Sequence, residues 1–154
     1  MKYIECPNQY IKKDKSELSL FVAGGITGCS NWQKEYVGLL RDENVVLLNP
    51  RREKFPSKPT EAVNSEQITW EFDYLKNSDA VSFWFTQETV CPITLYELGK
   101  QVMIDRPVFV GVHPNYTRKE HLEIQLKLIR PEIEIAYNLE DLANQVKTWI
   151  KQKQ

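Results

Sequence analysis

The stretch Leu18-Ser19-Leu20-Phe21-Val22-Ala23-Gly24-Gly25-Ile26-Thr27-Gly28-Cys29-Ser30 decides the architecture. A nearly unbroken apolar run that stops at two glycines reads as a strand buried on both faces and entering a tight turn, the pattern of a parallel sheet covered by helices. A helix is expected next, over about residues 31–42. Ser30 or Asn31 can cap its first amides, and Trp32, Tyr36, Leu39 and Leu40 fall on one face. Residues 45–48 supply a second strand.

Beyond it, Asn49-Pro50-Arg51-Arg52 breaks the pattern, and two further prolines, Pro56 and Pro59, make the segment a long surface loop. The spacing of Ile68, Phe72 and Leu75 predicts a helix over residues 63–77, and residues 80–85 form an apolar strand interrupted only by Ser82. A second strand-to-helix turn follows at 87–92, where Pro92 can start a helix over 93–104 because its missing N–H would be unpaired there anyway. A strand at 107–112, a helix at 116–129, a short strand at 132–136 and a helix at 139–151 complete the reading. Strands alternating with helices give an α/β fold. The expectation is a single-domain flavodoxin-like (Rossmann-like) three-layer sandwich whose parallel sheet has five strands in the order 2-1-3-4-5. In that order the winding reverses between the first and third strands, and ligands bind at their carboxyl ends.

Residues 1–17 are polar and rich in lysine, with at most a short extended piece near Tyr3 and Ile4, and are read as an arm preceding a domain over 18–154. The 154 residues suit one core. With 42% hydrophobic and 27% charged residues and a net charge of -1, neither disorder nor a surface for a nucleic-acid polymer is indicated, which leaves a small molecule as the expected partner. Cys6, Cys29 and Cys91 are odd in number and lack paired C-x-x-C spacing, as expected of reduced thiols in a cytoplasmic protein without a metal site. No apolar run approaches the roughly 20 residues of a membrane span, and residues 1–16 are too polar for a signal peptide.

Gly24-Gly25-Ile26-Thr27-Gly28-Cys29-Ser30 form a turn in which glycines permit positive φ and free backbone N–H groups can face an anion at the following helix start, with Gly24, Gly25 and Thr27 as its candidate ligand contacts. No lysine follows Gly28 and the spacing is not G-x-G-x-x-G, so ATP and NAD are disfavoured and no cofactor is expected. Glu97 falls in the second turn of its helix, either pointing to the crevice mouth or solvated near a favourable dipole. Glu71 beside Trp70 either clamps a base and bonds a sugar or merely flanks an aromatic packed on the sheet. Arg51 and Arg52 are equally readable as phosphate ligands or as solvated side chains. With only His113 and His121 present, histidine-based catalysis is not proposed.

Residues 20–28, Leu48-Asn49-Pro50-Arg51-Arg52, Trp70-Glu71, Ser78-Asp79 and above all Glu88-Thr89-Val90-Cys91-Pro92-Ile93-Thr94-Leu95-Tyr96-Glu97-Leu98-Gly99 resemble the nucleoside 2-deoxyribosyltransferase-like family. The resemblance implies a nucleoside or nucleotide ligand and a glutamate nucleophile at Glu97, with Glu71 near sugar and base and Glu88 as the acidic group of the turn. Gly24, Gly25, Thr27, Asn49, Arg51, Trp70 and Phe85 are the expected substrate contacts, and Phe21 stands where many members carry a tyrosine. The implied chemistry is cleavage or transfer at the N-glycosidic bond of a (deoxy)nucleoside through a covalent glycosyl-enzyme. Alternatives are hydrolysis of a nucleoside 5′-monophosphate and nucleotide or nucleotide-sugar binding without turnover. A homodimer or higher homo-oligomer is also implied, and the apolar residues of the helix from Ile68 to Leu75 are equally readable as its interface or as core packing.

Overall fold

A computed structural model describes residues 1–14 and 16–154. In chain order the elements are β1 (Lys2–Glu5), β2 (Ser19–Gly24), α1 (Trp32–Leu39), β3 (Val46–Asn49), α2 (Glu61–Asn77), β4 (Ala80–Phe85), α3 (Pro92–Gln101), β5 (Val108–Val112), α4 (Lys119–Ile129), β6 (Ile135–Ala136) and α5 (Leu139–Lys153). All neighbouring strands run parallel in the order β1-β3-β2-β4-β5-β6.

The expected five-stranded sheet is therefore corrected to six. The extra strand lies in the segment read as an arm: Lys2 to Glu5 pair with Val46 to Asn49 at the edge of the sheet. Edge strands are commonly short and charged, which guards against further pairing, so this one carries almost no apolar alternation to betray it. It has a marked effect on β3, which becomes an inner strand with all four residues buried. The Cys6 N–H donates to the Asn49 carbonyl at 3.0 Å and the Asn49 amide donates to the Tyr3 hydroxyl at 2.8 Å, extending the join past the strand. Farther along, Lys12 pairs with Asp79 at 2.8 Å, and Asp79 also accepts from the Ser19 backbone N–H and hydroxyl, so the segment before β2 is tied to the amino edge of the sheet.

Period-two alternation divides the strands between two cores. Phe21, Ala23, Val46, Leu48, Val81, Phe83 and Phe85 pack with Trp70, Leu75, Leu98 and Leu126 beneath α2, α3 and α4. Leu20, Val22, Leu47, Ala80 and Trp84 pack with Tyr36, Leu142, Val146 and Ile150 beneath α1 and α5. The Ser82 that interrupts β4 is matched by the buried Tyr36 hydroxyl at 2.7 Å, which satisfies both groups.

Helix α2 is where expected, and its buried face is narrow. Thr60 caps it by accepting from the Val63 N–H, and only Trp70 and Leu75 are buried, whereas Ile68 and Phe72 are 64% and 56% exposed. The helix is thus rotated so that Gln67, Glu71 and Tyr74, rather than Ile68 and Phe72, turn inward. No helix among the described residues is long and apolar enough to cross a membrane.

Candidate active site

Strands β2 and β4 are neighbours, while the connections through α1 and α2 leave on opposite sides, so the turns after these strands border one crevice at their carboxyl ends. In the first turn, Gly24 and Gly25 are required by close approach. A Cβ on Gly24 would stand 2.3 Å from the Trp32 ring and 2.6 Å from the Trp84 carbonyl, and one on Gly25 would stand 2.6 Å from Cys29 Sγ. Of the three glycines in this turn, Gly28 is the one with a positive φ, at 72°. The start of α1 then clamps the turn: Trp32 Nε1 and Gln33 Nε2 donate to the Gly25 carbonyl at 2.9 and 3.2 Å.

The second turn is held as firmly. Cys91 adopts the left-handed conformation (φ 50°) as the residue capping α3, its N–H donates to Thr89 Oγ1 at 3.2 Å, and the Tyr116 hydroxyl donates to the Val90 carbonyl at 2.8 Å. Pro92 then opens the helix, and Thr94, Leu98 and Gln101 anchor its inner face. Glu97, adjacent to that face, is directed into the crevice.

The resulting cleft has a volume of about 310 Å³, and Phe21, Gly24, Gly25, Thr27, Pro50, Glu71, Cys91 and Glu97 are among its walls. That volume lies at the small end of the ligand-site range. Among the described residues, no hydrogen-bond donor or cation pairs with the Glu97 carboxylate. Burial, followed by the negative charge of Glu71, pushes the Glu97 carboxyl up to about 7, against the pull of Lys100. Burial also raises Glu71, opposed by a hydrogen bond from Gln67 and by the charge of Arg52. The Glu71 charge thus acts on Glu97 across one cavity, and Glu97 more readily holds a proton than an ordinary glutamate does.

Gln67 organises the Glu71 side and was not among the expected site residues. Its Nε2 donates to Glu71 Oε1 and to the Pro50 carbonyl, both at 2.7 Å, while its Oε1 accepts from Arg52 Nε at 2.6 Å. The available signal was its i, i+4 spacing from Glu71 on one helix face. A neighbouring recess of about 500 Å³, with Arg51, Arg52 and Phe55 in its walls, shares Ile26, Thr27, Pro50 and Glu71 with the cleft.

Other expected contacts lie elsewhere. Glu88 faces away from the cleft, toward a recess with His113 and Tyr137, and its carboxylate accepts from the Ser30 N–H at 3.3 Å. Phe85 is fully buried against Tyr116, with ring centroids 5.3 Å apart. Trp70 packs between Phe21 and Tyr74 and donates to the Asn8 carbonyl, lining a larger concavity of about 680 Å³ near the amino end of the sheet, away from Glu97. Asn49 is buried beneath Tyr3, and its side chain also accepts from the Arg51 N–H. The Arg51 guanidinium donates to the carbonyls of Ser30 and Cys29 and to Gln33 Oε1, so it braces the first turn.

No curated protein matches the chain. Among solved structures, a conserved protein from Enterococcus faecalis V583 is similar in fold: 14% identical, with a TM-score of 0.60 over 86% of this chain and 99% of that one. The family model described as nucleoside 2-deoxyribosyltransferase like matches residues 17–116, which hold both turns, Glu71 and Glu97. The chain belongs to the nucleoside 2-deoxyribosyltransferase-like family.

Proposed function

We propose that the protein breaks the N-glycosidic bond of a (deoxy)nucleoside by attack of Glu97 on C1′. The observation that carries this reading is the sharing of one cleft by Glu97, Glu71 and the diglycine turn. In the first step a Glu97 carboxylate oxygen bonds C1′ as the C1′–N bond breaks, through an oxocarbenium-like transition state. A free base is a poor leaving anion, so it departs with a proton drawn from solvent, while the Glu71 carboxylate in the same cleft is placed to hydrogen-bond the sugar. In the second step an acceptor base or water attacks C1′, the Glu97–C1′ bond breaks to release the carboxylate, and the acceptor's proton passes to solvent. Two inversions give net retention, as in retaining glycosidases, whose paired carboxyl groups stand about 5 Å apart.

Transfer to a second base is the primary reading, on the strength of the family. Hydrolysis of a nucleoside 5′-monophosphate is the second, favoured by the recess near Arg51 and Arg52 that opens into the cleft. The exposed Ile68 and Phe72 on α2 support the pairing of subunits through that helix. Incubation with a panel of nucleosides and nucleotides, with and without a free acceptor base, distinguishes transfer from hydrolysis by whether a new nucleoside appears. Glu97→Gln and Glu97→Ala are expected to abolish base release with the fold intact. Release that persists in both variants refutes the nucleophile.

A further inference from the structure

We propose that Cys29 and Cys91 form a redox-responsive thiol pair that closes to an intramolecular disulfide when the protein meets a peroxide. The two residues come from different turns, yet their sulfurs border the same small space. A Cβ built on Gly25 would stand 2.6 Å from Cys29 Sγ and 2.9 Å from Cys91 Sγ, so only the missing side chain of Gly25 leaves room between them. Two hydroxyls bridge the pair. Thr86 Oγ1 lies 3.2 Å from Cys29 Sγ and 3.9 Å from Cys91 Sγ, and Thr89 Oγ1 lies 3.7 Å and 3.2 Å from the same atoms. Cys6, the third cysteine, is buried elsewhere, with its thiol donating to Gln67 Oε1 at 3.1 Å.

Exposure orders the chemistry. Cys29 is partly exposed and Cys91 is only 4% exposed, so oxidant meets Cys29 first. The Cys29 thiolate attacks one peroxide oxygen, the O–O bond breaks, and hydroxide leaves a sulfenic acid on Cys29. The Cys91 sulfur then attacks Cys29 Sγ, the S–O bond breaks, and the departing hydroxide takes the Cys91 proton as water. The two sulfurs together lose two electrons and the peroxide gains them. The bond ties the turn after β2 to the cap of the helix that carries Glu97, which fixes the two walls of the cleft to one another. This inference does not rest on the glycosyl reading.

The full chain, kept dilute, is treated with hydrogen peroxide, cleared of peroxide, alkylated in denaturant so that buried thiols are reached, digested with trypsin without reduction and analysed by mass spectrometry. Cys29, Cys91 and Cys6 fall in separate tryptic peptides, residues 16–34, 77–100 and 3–12. The expected product is peptide 16–34 joined to 77–100 with the loss of two hydrogens, released by dithiothreitol, while Cys6 remains alkylated. In Cys29→Ser the Cys91 thiol should stay alkylatable under the same treatment. Over-oxidised Cys29 with free Cys91 in the unsubstituted protein, or a bond that uses Cys6 or a second chain, overturns the proposal. Cys91→Ser adds a control if it folds, but the unsubstituted protein and Cys29→Ser decide the matter alone.

Discussion

Replacing Glu97 by glutamine removes the one carboxyl group whose ionisation the fold opposes most within the cleft, and its effect on stability should depend on pH in a defined way. The ordinary value for this group is 4.5 and the folded value about 7. A gap of roughly two and a half units, at about 1.36 kcal/mol per unit, is worth about 3 kcal/mol, or nearer 2 once partial solvent screening is allowed for. The folded chain holds this proton more tightly than the unfolded chain does. Stability from this source is therefore complete below about pH 4.5 and is lost as pH rises through about 7. Glutamine carries no such proton, so the gain from Glu97→Gln should be negligible near pH 4.5 and reach about 2–3 kcal/mol above pH 8. For a chain of this size that corresponds to a rise in Tm of roughly 5–10 °C. Thermal unfolding of both proteins at pH 5 and pH 8, at equal ionic strength, measures it. An equal shift at the two pH values, or a loss at pH 8, refutes the assignment of a half-buried, unpaired carboxylate to the cleft.

In the proposed mechanism the same titration governs activity. As a nucleophile Glu97 must be ionised, so kcat/KM should fall as pH drops through about 7 in the free enzyme; a fall on raising pH through that value instead would make Glu97 the acid. Gly25→Ala should destabilise the protein by about 1–3 kcal/mol, because the added carbon meets Cys29 Sγ at 2.6 Å and Cys91 Sγ at 2.9 Å. An unchanged denaturation midpoint would show that the turn has more room than the structure indicates.

What was legible before the structure followed from local rules. The apolar runs of β2 and β4, the stop at Gly24-Gly25 and the start at Pro92 place two strand-to-helix turns side by side, and that arrangement brings Glu97 to the diglycine bend. What was not legible depended on pairing across the chain. Strand β1 exists because Val46 to Asn49 offer it an edge, and four residues with two charges carry too little pattern to announce that. The inward face of α2 could not be read from spacing alone, because Ile68 and Phe72 satisfy a helical spacing while facing solvent, and the polar Gln67 and Glu71 turn inward to serve one another and Pro50. Trp70, Phe85 and Asn49 lie in segments that border the crevice, but side-chain direction sends them into the core. Arg51 reaches the first turn as expected of its position, and finds backbone carbonyls there before any phosphate.

The account depends most on a covalent bond between Glu97 and the sugar. It is tested by incubating the protein with a nucleoside whose sugar bears a 2-fluorine, which slows the second step by destabilising positive charge at C1′, followed by acid quenching and mass analysis of tryptic peptides. The account predicts that residues 77–100 gain the mass of one sugar, located at Glu97, with one equivalent of base released. Base released while that peptide stays unmodified, or the sugar found on Glu71, contradicts it.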